Sequence, residues 1–480
     1  MKVLEITGKK ESQNDVISVL KSRRITPAPD VKKSLQAIDP SKHKINDEVY
    51  RPNKRIKVDK DEIDATRDAV AEGYRVEKVA RIKLALQKLI IKRAVAFLFG
   101  NPVSFSAEPE NENQELILRA MKRIFQDVKS NSLNRKIARA VFGFNECAEL
   151  WFPVEKDVSN YGFKSKYKLR CALFSPAFGD ALYPYFDDTG DMVAFSREFK
   201  RKDTTDKETT YFETYTADEH WMWKSEQAGF VVVEGFPKQI AIGKIPVVYA
   251  CQEETETQDV DSLIDRLELL LSNFADTNDY HAAPKIFIKG ELKGFSKKGE
   301  SGAIIEGEEE SDAKYLSWQN APESVKLEIE TLLRMIYTIT QTPDISFESV
   351  KGIGAVSGIA LKLLFMDAHL KVQDKREIFD EYLQRRVNVV KAFIAQFNTK
   401  LDADSRELEI EPEITPYMLT SELDEINYWI TANGNKPIIS QRQSVKNAGL
   451  TNDPDADFEQ IQEEASRDNT FTLGEPTFDA

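Results

Sequence analysis

Several groups of residues have types and spacings that could do chemistry. Gly352, Gly354 and Gly358 are spaced much like the glycines of a phosphate-cradling loop, in which small residues let backbone N–H groups approach a pyrophosphate. That chemistry needs a strand of a βαβ unit directly before the loop, and Pro343 stands just upstream instead, so nucleotide binding is not expected. Asp187, Asp188 and Asp191 offer the hard oxygen ligands of a calcium site. The closing glutamate of the calcium loop is missing, however, and an Asp-rich β-turn is expected there. His43, His220, His281 and His369 have no His-x3-His spacing, and Cys147, Cys171 and Cys251 form no CxxC pair. Neither a zinc site nor a disulfide framework follows, and the thiols are expected to be reduced and mostly buried. Trp221 and Trp223 flank Met222 and could stack on a base, but aromatics alternating along a strand are expected in a core or subunit interface. Glu306, Glu308, Glu309 and Glu310 form an acidic run, either a solvated loop or a surface for a basic partner. With no Walker loop, paired metal-site carboxylates or nucleophile elbow, no catalytic residue, cofactor or metal is expected.

Bulk properties narrow the classes further. The chain has 480 residues, room for two to four compact regions, and its 41% hydrophobic and 30% charged content fits a folded protein. No apolar run approaches the roughly 18 residues that cross a bilayer. The amino terminus, MKVLEITGKKESQNDV, lacks an apolar core followed by small residues, so secretion is not indicated and a cytoplasmic origin is expected. A net charge of −14 argues against tight, phosphate-gripping nucleic-acid binding. It is compatible with a conduit through which DNA must slide, because repulsion of phosphates lowers the barrier to movement.

The elements that would position these residues begin after an arm. Residues 1–60 show little periodicity, and Pro27, Pro29, Pro40 and Pro52 exclude long helices, so an extended arm is expected. From about Asp64 to Phe99 the pattern is helical, with Val76, Val79, Ala80, Leu84, Leu86, Leu89 and Ile90 on overlapping apolar faces, stopped by Gly100, Asn101 and Pro102. Helices are expected over about 113–129 and 132–146, then strands at 149–152, 166–172, 192–197 and 210–215, with a hairpin turn at 187–191. Between Asp259 and Tyr280, Val260, Leu263, Ile264, Leu267, Leu270, Leu271 and Phe274 recur at helical spacing, a rod of about 33 Å. About 40 residues of strand and loop follow, and Pro322 then opens a returning helix that carries Val325, Ile329, Leu332, Leu333, Ile336 and Ile339 to Gln341. Two similar helices bracketing a small β-rich module suggest a stalk with a tip. Residues 344–357 form a loop that Gly352 and Gly354 free to move. From Ser357, a plausible N-cap, apolar positions persist to Phe397 as one long helix or two joined by a kink, roughly 60 Å if straight. Residues 406–411 alternate like a strand, and 421–450 read as two helices joined around Gly434 and Pro437.

At this point the residues resemble a known family, the portal proteins of tailed bacteriophages with the siphovirus-like arrangement. The matching stretches are LIIKRAVAFLFGNPV at 89–103, a helix ending in a Gly-x-Pro turn, and KIPVVY at 244–249 before the first rod. TPDISFE at 342–348 follows, then GAVSGIALK at 354–362 with a charged helix at 371–376, and KPIISQRQSVK at 436–446 with Asp453 and Asp455 after it. Each string alone is weak, and their order and spacing over about 64–465 make the match specific.

The resemblance implies an α+β portal fold with long stem and tunnel helices, a mixed wing, a small β-rich clip and a helical crown. Mapped onto this chain, 1–60 is the arm, 61–256 the wing, 257–281 and 322–342 the stem helices and 282–321 the clip. The tunnel loop is then 343–356, the long tunnel and wing helix with its strand 357–417, the crown 418–465, and 466–480 an acidic flexible tail. It further implies a homo-oligomeric ring, usually of twelve copies, at the capsid vertex of a virion assembled in the host cytoplasm. Its partners would be the terminase large subunit, a head–tail adaptor, the major capsid protein or scaffold, and double-stranded DNA passing through the channel, with no membrane. Ser349, Val350, Lys351, Gly352, Ile353 and Gly354 are the expected DNA-facing loop residues, with Lys351 the cation among them. The Glu306 to Glu310 run is the candidate docking surface for terminase or adaptor. Packaging would be driven by hydrolysis in the terminase, so the chain itself is not expected to be an enzyme. A head–tail adaptor is the rival structural reading, although adaptors are generally much shorter; an enzyme with an unrecognised site is the other.

Overall fold

A computed structural model describes residues 1–10, 12–22, 44–46, 48–57, 74–202, 206–282, 285–289, 292–294, 306–307, 312–316, 321–343, 365–417, 430–431, 434, 437–448 and 454–471. The chain divides into two units, 1–350 with 365–417, and 351–364 with 418–480.

The first unit opens with helices α1 (Val3–Thr7) and α2 (Gln13–Ser22), strands β1 (Lys54–Lys57) and β2 (Tyr74–Glu77), and α3 (Leu86–Phe99). Strand β3 (Ser104–Ser106) leads to α4 (Glu112–Asp127) and α5 (Ser130–Phe144). Nine strands follow: β4 (Glu146–Val158), β5 (Ser165–Phe174), β6 (Ala181–Phe186), β7 (Met192–Lys202), β8 (Glu208–Tyr215), β9 (Glu219–Glu226), β10 (Gly229–Val232), β11 (Lys238–Gln239) and β12 (Val247–Cys251). Helix α6 (Asp261–Ala282), strands β13 (Lys285–Lys289), β14 (Leu292–Gly294), β15 (Glu306–Gly307) and β16 (Asp312–Leu316), and helix α7 (Ala321–Ile339) come next. The unit closes with α8 (Met366–Phe397), α9 (Asp402–Glu407) and β17 (Glu411–Glu413).

Strands β6 to β10 form an antiparallel meander with β11 added on β9, while β12, β4 and β5 make a three-stranded sheet. Adjacent residues face opposite sides of the meander, and both sides are covered: Ala194 on β7, Phe212 on β8 and Trp223 on β9 lie in one buried cluster, Phe195 on β7 and Tyr215 on β8 in another. One core, Ala148, Phe174, Leu182, Phe195, Tyr215, Val247 and Tyr249, spans the two sheets. The turn at 187–191 makes the expected hairpin, but its first strand is β6, which is not among the expected strands. Its Asp187 Oδ1 accepts from the Thr189 and Asp191 amides and the Thr189 hydroxyl. The Thr189 hydrogen bond holds the carboxyl below its ordinary range, so this carboxylate serves the turn.

The helices follow the 3.6-residue period. On α4, Ile117, Ala120, Met121, Ile124 and Phe125 form the buried stripe, and the Asn111 side chain caps the first turn by accepting from Gln114 N. Gly100, the C-cap of α3, has no room for a side chain: a Cβ there would lie 2.4 Å from the Ala96 carbonyl oxygen and 2.8 Å from the Tyr417 Cβ.

The structure corrects four expectations. The arm is not wholly extended. Val16, Ile17 and Leu20 give α2 an apolar face that packs with Val3 against Tyr185, Ala194, Phe212 and Trp223, and the first proline comes later, at Pro27. Trp221 and Trp223 are thereby core aromatics, stacked at 5.5 Å, with Trp223 Nε1 donating to Gln13 Oε1. Of the helix expected over 64–99, residues 64–73 lie outside the described residues, 74–77 pair as a strand and 78–85 run without helix, so that helix is described only from Leu86. Residues 406–411 are not one strand, since α9 reaches Glu407 and β17 begins at Glu411; the alternation instead buries Leu408 and Ile410 individually.

In the second unit, α10 (Gln441–Ala448) and α11 (Pro454–Phe471) pair through Arg442 Nε and Asp455 Oδ1 at 2.8 Å. Helix α11 carries backbone order past the expected start of the tail at 466, which is the fourth correction. Pro454 in the first turn and Asp455 and Asp457 at the positive end of the helix dipole favour it. The Ser357 end of the long helix lies outside the described residues.

Candidate functional site: a helical pair and the clamp at its base

Helices α6 and α7 pack side by side, as the apolar spacing predicts. Val260, Ile264, Leu267 and Ile336 form one buried cluster with Leu86 and Ile90 of α3, flanked by Leu263, Leu271, Ile329, Leu332 and Leu333. Arg266 donates through Nε and Nη2 to Glu328 Oε1 at 2.9 and 2.7 Å across the outside of the pair. Exposed as it is, this bond sets register more than stability. In the chain, the two helices are separated by two ribbons, β13 with β16 and β14 with β15.

The stretch before α3 is laced to α6. Ala80 N donates to Asp276 Oδ1 at 2.8 Å, Ile82 N to Ser272 Oγ at 2.9 Å and Leu84 N to Glu268 Oε1 at 2.7 Å. Every second residue of the strand-like segment therefore meets every fourth residue of the helix. The spacings agree because two extended residues span about 6.6 Å and four helical ones about 6 Å. These amides are spoken for, which is why the segment is not helical despite its apolar content. Arg51 completes the seam, with Nη2 on Asp276 Oδ2 at 2.6 Å, Nη1 on Asn273 Oδ1 and Nε on the Ala80 carbonyl, both at 2.7 Å. Asp276→Ala removes both the ion pair and the Ala80 acceptor. It is expected to cost about 2–3 kcal/mol, seen as a lower thermal unfolding midpoint, with Asp276→Asn losing less.

At the base, two lysines of one helix meet on one carboxylate. Glu256, just before α6 and almost fully buried, contacts Lys371 Nζ at 2.5 Å and Lys375 Nζ at 2.9 Å, both on α8. Burial pushes its carboxyl up, but the two ammonium groups outweigh burial and hold it below the ordinary range. Burial likewise lowers Lys375, and Glu256 reverses this and raises it. Lys371 also donates to the Thr340 carbonyl at 2.9 Å, and Arg93 of α3 donates to the Pro343 carbonyl at 2.7 Å. Phe365, where the chain next returns, is buried with its ring 5.5 Å from Phe97. Both ends of segment 344–364 are thus fixed to the same helical frame.

Further along α8, Arg386 donates to both oxygens of Glu149 on β4, at 2.7 and 3.0 Å, and to Asn134 Oδ1 of α5 at 2.5 Å. Trp151 Nε1 donates to the same Glu149 at 3.1 Å. The pair is almost wholly buried, with 3% and 0% exposure. Burial works against the Arg386 charge, and Glu149 more than restores it, raising the guanidinium above its ordinary value.

Of the residues expected to act, Ser349 to Gly354 and Glu308 to Glu310 lie outside the described residues, and Glu306 is placed only as part of β15, paired with β14. The clamp residues Glu256, Lys371, Lys375 and Arg93 and the buried Arg386–Glu149 pair escaped the sequence reading. Among the described residues no helix is long and apolar enough to cross a membrane, and no cluster of His, Cys, Asp and Glu could hold a metal ion.

The described first unit is an α+β unit with a long helical pair bracketing small ribbons in the chain and a long helix clamped to it by buried ion pairs. The family model described as "Phage portal protein, SPP1 Gp6-like" matches residues 42–470, and the chain belongs to that family, whose members are structural proteins of the virion's head vertex. No curated protein matches it. Among solved structures, a chain of the neck of an empty GTA particle computed with C6 symmetry is similar at 10% identity and TM-score 0.40, covering 76% of this chain and 88% of that one. A chain of the neck of a native GTA particle computed with C12 symmetry is similar at 10% identity and TM-score 0.38, covering 83% and 96%.

Proposed function

We propose that the chain is the subunit of a closed portal ring of about a dozen copies, the channel through which double-stranded DNA is packaged and later ejected. The observation that carries this reading is the family match across 42–470. The paired helices α6 and α7 with their ribbons support it as stem and clip, at 257–281, 322–342 and 282–321. On the same reading 343–356 is the tunnel loop, 61–256 the wing, 357–417 the tunnel and wing helix with its strand, and 418–465 the crown. The clip, with its Glu306 to Glu310 run, docks the terminase and then the head–tail adaptor, while the capsid protein or scaffold holds the ring at the vertex. Hydrolysis belongs to the terminase. The net charge of −14 suits a conduit that must release DNA rather than grip it.

Native mass measurement with electron microscopy tests this directly: a ring of 54.7 kDa subunits around a central channel is expected, and a monomer or dimer under all conditions would sink it. Lys351→Ala, or a shortened 343–356 segment, is expected to leave rings intact while lowering DNA packaging or retention. Normal packaging and retention in both variants would remove that loop from the DNA path.

A further inference from the structure

A closed ring needs two different faces on each subunit that complement one another, and subunits of charge −14 repel unless cations lie where they meet. Against that overall acidity, α3 and α5 contain no carboxylate at all. Their exposed faces carry Lys88, Lys92 and Ala96 on α3 and Arg135, Lys136 and Arg139 on α5, and these cations make no ion pair among the described residues. The opposite character runs along the solvent face of α8. There Asp367, Asp374 and Glu377 are exposed at helical spacing together with Met366 and Leu370, which are 51% and 54% exposed. Asp374 contacts Lys375 Nζ at 3.4 Å yet stays 68% exposed, and apolar side chains left open beside exposed carboxylates mark a surface made to be covered. Phosphates cannot cover Met366 and Leu370, whereas the butyl stems of lysines can, with their ammonium groups reaching the flanking carboxylates.

We propose that the basic faces of α3 and α5 in one subunit dock on the Asp367, Leu370, Asp374 and Glu377 stripe of α8 in the next. The pairing is head-to-tail and repeats around the ring. It rests on the ring reading above and adds which faces meet. The i to i+4 pairs Lys88 with Lys92 and Arg135 with Arg139 rise about 6 Å, close to the roughly 5 Å between Asp374 and Glu377, so the two sides have matching spacing.

The test is a charge swap between chains. Arg135→Glu/Arg139→Glu reverses the basic face and Asp374→Lys/Glu377→Lys the acidic one. Each variant alone is expected to lose the ring at concentrations and salt where the wild type assembles, because like charges then face each other. An equimolar mixture is expected to regain rings in which the two variants alternate, since every contact again pairs opposite signs. Recovery on mixing also shows that both variants fold. The milder Arg135→Gln/Arg139→Gln is expected to form rings that dissociate at lower salt than the wild type. Wild-type rings from either reversed variant alone would overturn the proposal and leave the ring reading standing, as would variants that stay apart on mixing while melting like the wild type. Intact rings from Arg135→Glu/Arg139→Glu that fail to retain DNA would also overturn it and assign the basic face to nucleic acid. A wild-type chain that never forms rings would remove the ring reading and the proposal together.

Discussion

Arg386→Met is expected to destabilise the first unit by about 3–5 kcal/mol, because it strands the Glu149 carboxylate in the core. Glu149 is fully buried and holds together α8, β4 and, through Arg386, Asn134 on α5. Its other hydrogen bonds, from Trp151 Nε1 and the Cys171 thiol, do not neutralise it. A methionine fills much of the vacated volume, so the loss arises mainly from the uncompensated charge. The double variant Arg386→Met/Glu149→Gln removes that charge and keeps an acceptor for Trp151, and it is expected to recover more than half of the loss. Thermal unfolding of the single and double variants checks this. Equal midpoints for the two would show that lost packing, not stranded charge, dominates.

Glu256→Ala carries the second large effect, again about 3–5 kcal/mol, because it leaves Lys371 and Lys375 side by side and largely buried with no carboxylate between them. Glu256→Gln should lose less. The pH dependence distinguishes this clamp from ordinary packing. The Glu256 carboxyl titrates below its ordinary 4.5 in the folded chain. Its contribution is therefore complete above about pH 4.5 and lost as pH falls through the lower folded value. Lys375 titrates above its ordinary 10.5, so its share holds below about pH 10.5 and is lost as pH rises through the raised value. The gap in unfolding midpoint between wild type and Glu256→Gln is thus expected to be flat near neutrality and to close in acid. A gap that stays unchanged as pH falls from neutrality through the whole acid limb would show that the carboxylate's charge contributes nothing.

Much of the helical architecture was legible in the chain. Helices α6, α7 and most of α8 appear within a few residues of where their apolar positions recur every three or four residues, since that period is a local property of neighbours along one chain. Strands β4, β5, β7 and β8 were visible for the same reason at a period of two. Short elements were harder: α2 has only three buried positions, and its Val16, Ile17 and Leu20 look unremarkable until the sheet they cover is known.

By itself the sequence determined much of the order of elements from α4 to α8, with the strands between α6 and α7, and, through the order of its short motifs, the family. Tertiary structure alone decided which charges act. Glu149 and Arg386 are 237 positions apart, and nothing local separates Lys371 and Lys375 from the solvated cations on α3 and α5. A charged side chain reads the same in sequence whether it ends in water or in a core; only the packing of distant segments sets its dielectric surroundings and its partner. The same holds for residues 80–84, whose apolar side chains suggest a helix until the polar row of α6 claims their amides.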